Sequence, residues 1–415
     1  MNKILVGILI SMLLMSTFFP ISGKMVSTDN NGELLSNTQS GGWYKTYGGP
    51  GLDCFKGLDL TPDGGYIMAG ETEIDGDKQA WIVKTNSTGD IQWEVTYGTP
   101  LGRDALWPVI STSAGGYLGG GWSYNSTQEK NDALLIKTDE DGAITWVNTY
   151  GDVGDDQFYS LLEIADGYLA VGMSSSYSNG TYSGFVAKIA FNGDVIWIKP
   201  LEKEGYGSEV DGITVANEGD GYVITGGHYS STEKPQARLI KIDEDGNIIW
   251  DKSYGEISSF DWWISIANTP DDNYIIAGGT NGNPYGKGIW GPDIWLIKVD
   301  NNGDIIWNKT FGLPILKDYS LCAQPTSDGG YIFTGHLYGI GDFNDGTHAP
   351  FSKICLIKTD ENGKKVWRER IPKTGHGRTV RETSDGYILC GFEGKGHGTG
   401  SEYGILIKID KNGKI

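Results

Sequence analysis

A lysine followed nine residues later by a tryptophan recurs along this chain about every fifty residues: Lys84/Trp93, Lys137/Trp146, Lys188/Trp197, Lys241/Trp250, Lys298/Trp307 and Lys358/Trp367. A seventh lysine, Lys408, precedes "IDKNGKI", which ends two residues before its Trp falls due. Two more marks keep the same register. One is Tyr-x-x-x-Gly, beginning at Tyr66, Tyr117, Tyr168, Tyr222, Tyr274, Tyr331 and Tyr387. The other is an acidic residue thirteen positions before that Tyr: Asp53, Asp104, Asp155, Glu209, Asp261 and Asp318, with Thr374 in the last unit. Such a period belongs to a repeat architecture, whose units bury their apolar faces only against one another.

Each unit holds four strand-like runs divided by turn residues; in the sixth these are "YSLCAQPT", "GYIFTG", "ICLIKT" and "KKVWRER". Four short strands in 50 to 60 residues is the spacing of a propeller blade. The expectation is an all-β, seven-bladed β-propeller over residues 42–415. Trp43, in "GGWYKTYGG", matches the missing seventh Trp, so residues 43–48 are expected to complete the outer strand of the last blade and close the ring without a free edge.

The turn of "KVDNNGDIIW" places Gly after Asp or Asn, residues that tolerate the left-handed backbone of a tight hairpin. A calcium loop of EF type needs Gly at its sixth position, whereas here it is the fourth, so these turns are assigned to structure. "LIKVDNNGDIIW" resembles the repeat of the pyrroloquinoline-quinone-type propellers, A-x-D-x-x-T-G-x-x-x-W, with Lys in place of Ala; the resemblance covers all seven units. It implies that Trp43, Trp93, Trp146, Trp197, Trp250, Trp307 and Trp367 form a belt between blades. The Lys is expected to lay its stem on the indole with its head in water, in preference to a cation–π contact. Quinoprotein dehydrogenases of that superfamily carry a vicinal disulfide and a calcium beside the cofactor. This chain has no adjacent cysteines and no matching ligand set, so no cofactor is expected. The chain looks more like the exported propeller-repeat proteins of archaea and bacteria.

The chain carries 53 acidic against 33 basic residues, a formal charge of −20. That balance opposes nucleic-acid binding, which needs Lys and Arg to neutralise phosphates. Residues 1–23 place Lys3 before an apolar run from Ile4 to Phe19, then small residues, the layout of a secretory signal; an uncleaved anchor is the alternative, and the sole route to a membrane. Residues 24–41 read as a linker. Cys54, Cys322, Cys355 and Cys390 are far apart in apolar runs and are expected as buried thiols.

The loops joining the second and third strands vary in length while the hairpin turns stay tight, and variable loops on a rigid frame carry binding. The candidate ligand-binding residues are therefore Tyr285, Trp290 and Asp293 from "TNGNPYGKGIWGPD" and His336, Tyr338 and His348 from "HLYGIGDFNDGTHAP". Asp342, Asn344 and Asp345 are the candidate calcium ligands. Lys373, His376 and Arg378, in the basic stretch 364–381, form a candidate positive sector. The acidic ring is expected to cap turns by accepting local N–H bonds. No nucleophile elbow or H-x-x-x-H is present, so no catalytic residue is assigned. The function expected is a monomeric, exported or cell-surface, non-catalytic scaffold that binds a protein or glycan. The alternative is a propeller enzyme: a quinone- or metal-assisted oxidoreductase, or a polysaccharide lyase or hydrolase.

Overall fold

The computed structural model describes residues 41–99, 102–178, 181–230, 232–255, 259–281, 293–312, 318–339, 351–394 and 402–415. Among them every regular element is a β-strand. Five sheets have four antiparallel strands in chain order. The first runs Cys54–Leu60, Tyr66–Ile74, Asp77–Thr85 and Ile91–Tyr97, and the others begin at Ala105, Asp156, Gly207 and Asp261. The sixth has seven strands. Its central strand, Lys365–Thr383, pairs through Lys365–Thr374 with Phe351–Thr359 and through Gly375–Thr383 with Gly386–Gly394. The expected break between sixth and seventh units is thus absent. The link from Trp367 to Tyr387 is shorter than in the other units, and the chain runs through without a separate turn.

The hairpin glycines Gly89, Gly142, Gly193, Gly246, Gly303, Gly363 and Gly413 have φ between 72° and 89°, the left-handed region where a side chain is strained. In the fifth unit the Asp300 carboxylate accepts the Asn302 and Asp304 N–H at 2.9 and 2.8 Å, closing the turn.

Each repeat Trp leaves its own sheet. Trp43, Trp93, Trp146, Trp197, Trp250, Trp307 and Trp367 lie 2.6 to 3.2 Å from where a Cβ would stand on the hairpin glycine of the next unit, Trp43 on Gly89 and Trp367 on Gly413. Trp93 and Trp367 donate Nε1–H to the Glu140 and Lys411 carbonyls at 3.0 and 3.2 Å.

The repeat Lys departs from expectation. Lys84 donates to Asp63 (2.8 Å), the Thr85 carbonyl (3.0 Å) and Gln92 (2.7 Å), which uses all three ammonium protons. Asp166, Asp220, Asp271, Asp328 and Asp385 hold Lys188, Lys241, Lys298, Lys358 and Lys408 at 2.5 to 2.9 Å. These acids belong to the turn between first and second strands. Ala114 stands there in the second unit, and Lys137 turns to the Gly115 and Thr138 carbonyls, each at 2.8 Å. The head is fixed by a turn, with these paired Lys side chains only 3 to 14% exposed, and among the described residues no indole holds it.

Apolar cores lie between successive sheets. Ile67 and Ile82 pack with Leu106 and Leu134, and Leu169 and Val186 with Val210 and Ile240. Phe55, Leu58 and Met68 of the first sheet share a core with Ile388, Cys390 and Leu406 near the C-terminus. Trp43–Tyr47 pairs antiparallel with the last strand, Trp43 opposite Lys408 and Tyr47 opposite Gly404, and Tyr47 donates its hydroxyl to the Gly89 carbonyl at 2.7 Å. The arrangement is propeller-like. All four cysteines are buried and free; burial pushes the Cys355 and Cys390 thiols up to about 12.

Candidate functional site

The Tyr-x-x-x-Gly motif sets the site. In each unit its glycine faces a β-bulge in the innermost strand. A Cβ on Gly70, Gly278 or Gly391 would stand 1.8 to 1.9 Å from the carbonyl oxygen of Cys54, Trp262 or His376. Only glycine admits that approach, and the bulge frees one residue from pairing. The register shifts at Lys56, Trp107, Tyr159, Asp211, Ile264, Leu321 and Arg378. All seven side chains line one cavity of about 430 Å³. In chain order its wall offers a cation, two aromatic rings, a carboxylate, two aliphatic chains and a second cation.

The two charged sides differ in their partners. Lys56 is buried and lies 3.1 Å from Glu71, with its ammonium 5.0 Å from the Trp107 ring and 4.8 Å from Trp122. Arg103 closes on the same Glu71 at 2.7 Å. Burial alone would raise the Glu71 carboxyl; Lys56 and Arg103 overcome it and hold the group well below the usual range. Arg378 rests between Trp107 and Phe392, 5.6 Å from each ring. Among the described residues no hydrogen-bond acceptor or carboxylate pairs with it, and its Nε is buried.

On the acidic side Asp211 accepts a hydrogen bond from Trp262 Nε1 at 2.9 Å. Neither Asp211 nor Glu209 has a cation beside it among the described residues. Burial raises Glu209 to about 7; burial and the Glu209 charge raise Asp211 well above the carboxylate range. Tyr159, 5.2 Å from Trp107 ring to ring, is raised by burial and then by these two carboxylates. Carboxylates that keep protons near neutrality, beside indole and phenol faces, can donate as well as accept hydrogen bonds.

The residues singled out from sequence fall as follows. Arg378 is one of the cavity residues. His376 stacks on His336 with ring centroids 4.0 Å apart and planes 13° apart, and Tyr319 and Phe392 flank the pair. Lys373 lies 3.8 Å from Glu393 and over the Tyr44 ring at 5.6 Å, outside the cavity wall. Asp293 is buried at the start of Asp293–Val299, opposite Thr280. Tyr338 belongs to the strand Tyr331–Gly339. Tyr285, Trp290 and His348, with Asp342, Asn344 and Asp345, lie outside the described residues, as do residues 1–40. Among the described residues no three His, Cys, Asp or Glu side chains converge as a metal site.

The acidic ring needs one correction. Asp53 and Asp104 accept local N–H bonds, from Gly49 at 2.8 Å and Thr99 at 2.7 Å, as turn caps do. In the third unit Asp156 takes that place, with the Ser176 hydroxyl 2.5 Å from its carboxylate, and in the fourth Ser208 takes it. The hairpin before the repeat Tyr is one residue shorter in the third unit and one longer in the fourth. Counting back from Tyr therefore misplaces Asp155 and Glu209, and Glu209 is left beside Asp211.

Sequence reasoning missed Lys56, Trp107, Tyr159 and Asp211. Their signal was present: the position 9 to 11 residues before each repeat Tyr changes chemical kind from unit to unit.

No family model and no curated protein matches this chain. Among solved structures it is similar to the periplasmic gluconolactonase of Pseudomonas aeruginosa, at 10% identity and a TM-score of 0.50, covering 76% of this chain and 85% of that one. A protein of unknown function from Bacteroides caccae matches at 14% identity and a TM-score of 0.41, covering 70% and 90%. Sqt1 of Chaetomium thermophilum matches at 10% and 0.45, covering 87% and 96%. With its sheets and their order of packing, the first of these likenesses defines the class: an all-β protein of propeller type.

Proposed function

We propose that this is an exported seven-bladed propeller of pyrroloquinoline-quinone-type repeats that binds a glycan in its central cavity. The observation that carries the reading is the bulge ring, which brings Trp107, Tyr159, Asp211 and Arg378 to one cavity wall. Flat rings to stack on a sugar face, with a few placed polar groups, are what a small-ligand site requires. The count of seven is supported by the shared strand Lys365–Thr383, which divides the seven-stranded sheet into two four-stranded ones when each half is counted. Pairing of Trp43–Tyr47 with the last strand, and the core joining Phe55 to Leu406, support closure by the N-terminal strand. Export is supported by the charged, apolar and small segments of residues 1–23; sequencing the N-terminus of the secreted protein should begin at Lys24, and an intact Met1 would oppose it. The sugar site is tested by calorimetry of the full chain against a glycan panel. Trp107→Ala should lower affinity at least about tenfold, the loss of one stacked ring, and unchanged affinity would refute the site.

One observation favours a second reading, that the glycan is cleaved: Glu209 and Asp211 hold protons near neutrality, the state a general acid needs. Appearance of reducing ends that Glu209→Gln abolishes would establish it.

A further inference from the structure

Two donors on the cavity wall have no acceptor among the described residues. The Arg378 guanidinium has neither ion pair nor hydrogen bond among the described residues, and its buried Nε joins the buried, unbonded Trp107 Nε1. The guanidinium carbon lies over the Trp107 ring, 5.6 Å from its centroid. A buried donor left unbonded costs the full desolvation of that group, and more when it is charged. The nearby Glu71 is already taken by Lys56 and Arg103. The same wall carries Asp211, which accepts from Trp262 Nε1 and has no cation beside it among the described residues.

We propose that the ligand is an acidic sugar, whose carboxylate meets Arg378 and Trp107 Nε1 while its ring hydroxyls reach Asp211. This rests on the glycan reading above and names the ligand's charge. A guanidinium with an indole N–H beside it forms a paired donor site for a carboxylate. A free α-amino acid would also offer a carboxylate and a hydrogen-bonding group, but on one carbon. Arg378 and Asp211 stand on inner strands that have those of Lys56, Trp107 and Tyr159 between them in the cavity order. A hexuronic acid holds its carboxylate and far hydroxyls at opposite ends of a ring, and so suits groups set apart.

The test is calorimetric titration of the full chain with D-glucuronate and D-galacturonate against D-glucose and D-galactose. At least one acid should bind about tenfold or more tighter than its neutral partner, the worth of a charge-assisted hydrogen bond. Arg378→Gln should remove that gap, and Trp107→Phe, which keeps a ring and deletes the N–H, should narrow it. Near-ultraviolet circular dichroism identifies a variant that fails to fold, in which case Trp107→Phe decides. Equal binding of acid and neutral sugar would overturn the inference and leave the glycan reading standing. An acid preference that survives both substitutions would overturn it as well. Binding of none of the four would overturn both.

Discussion

Glu209 carries a charge problem that shows in pH dependence. Its carboxyl has an ordinary value of 4.5 and is raised to about 7 by burial. Between those values the folded chain keeps a proton that the unfolded chain has released, so stability falls as pH rises through that window. Chemical denaturation between pH 4.5 and 7.5 should show this carboxyl's share of the fall, on the order of 1–2 kcal/mol after allowance for its partial exposure. In Glu209→Gln the slope should flatten; an unchanged slope would show that the carboxyl titrates normally. This residue was visible in the sequence as an acid in register, yet its role was not. A single-residue difference in hairpin length moved it from the capping position to one beside Asp211, whose side chain lines the cavity.

Among the elements, the bulged inner strand and the glycine facing it act as one device. Gly278→Ala would set a Cβ 1.8 Å from the Trp262 carbonyl oxygen, and backbone on both sides leaves no rotamer to relieve it. The expected loss is about 2 kcal/mol or more, in the upper range for overpacking. Gly64→Ala supplies the contrast: φ is 81° and nothing lies within 4 Å, so the cost should be only about 1 kcal/mol of backbone strain. Equal losses in urea titrations would show that the bulge does not depend on the glycine. Strand number, hairpin turns and the docking Trp could be read from the sequence because each needs a particular residue type. The bulge residues could not, since the bulge demands a glycine opposite and leaves the freed position to any chemistry.

At the scale of the molecule, the first and last described strands pair. Trp43–Tyr47 covers the edge of Glu402–Asp410, and Trp43 packs on Gly89 in the first unit. Deleting residues 41–47 should expose that edge and remove a buried Tyr and an indole, at a cost of at least about 3 kcal/mol. Calorimetry should show a lower Tm in the deleted protein, and an unchanged Tm would contradict the proposed closure. The sequence also pointed to long loops as the binding face, because loop length varies visibly from unit to unit. The bulge residues vary in kind and leave loop length unchanged, so the variation takes on meaning only when the strands are brought together around one cavity.

The bulge ring is the proposed seat of function. The most direct measurement is a glycan titration of the full chain beside Asp211→Asn and Trp290→Ala, each confirmed folded. Affinity should fall at least about tenfold in Asp211→Asn, the loss of the protonated carboxyl's hydroxyl donor to the sugar, and stay within about twofold in Trp290→Ala. Binding lost in Trp290→Ala and retained in Asp211→Asn would contradict the account and return the site to the long loops.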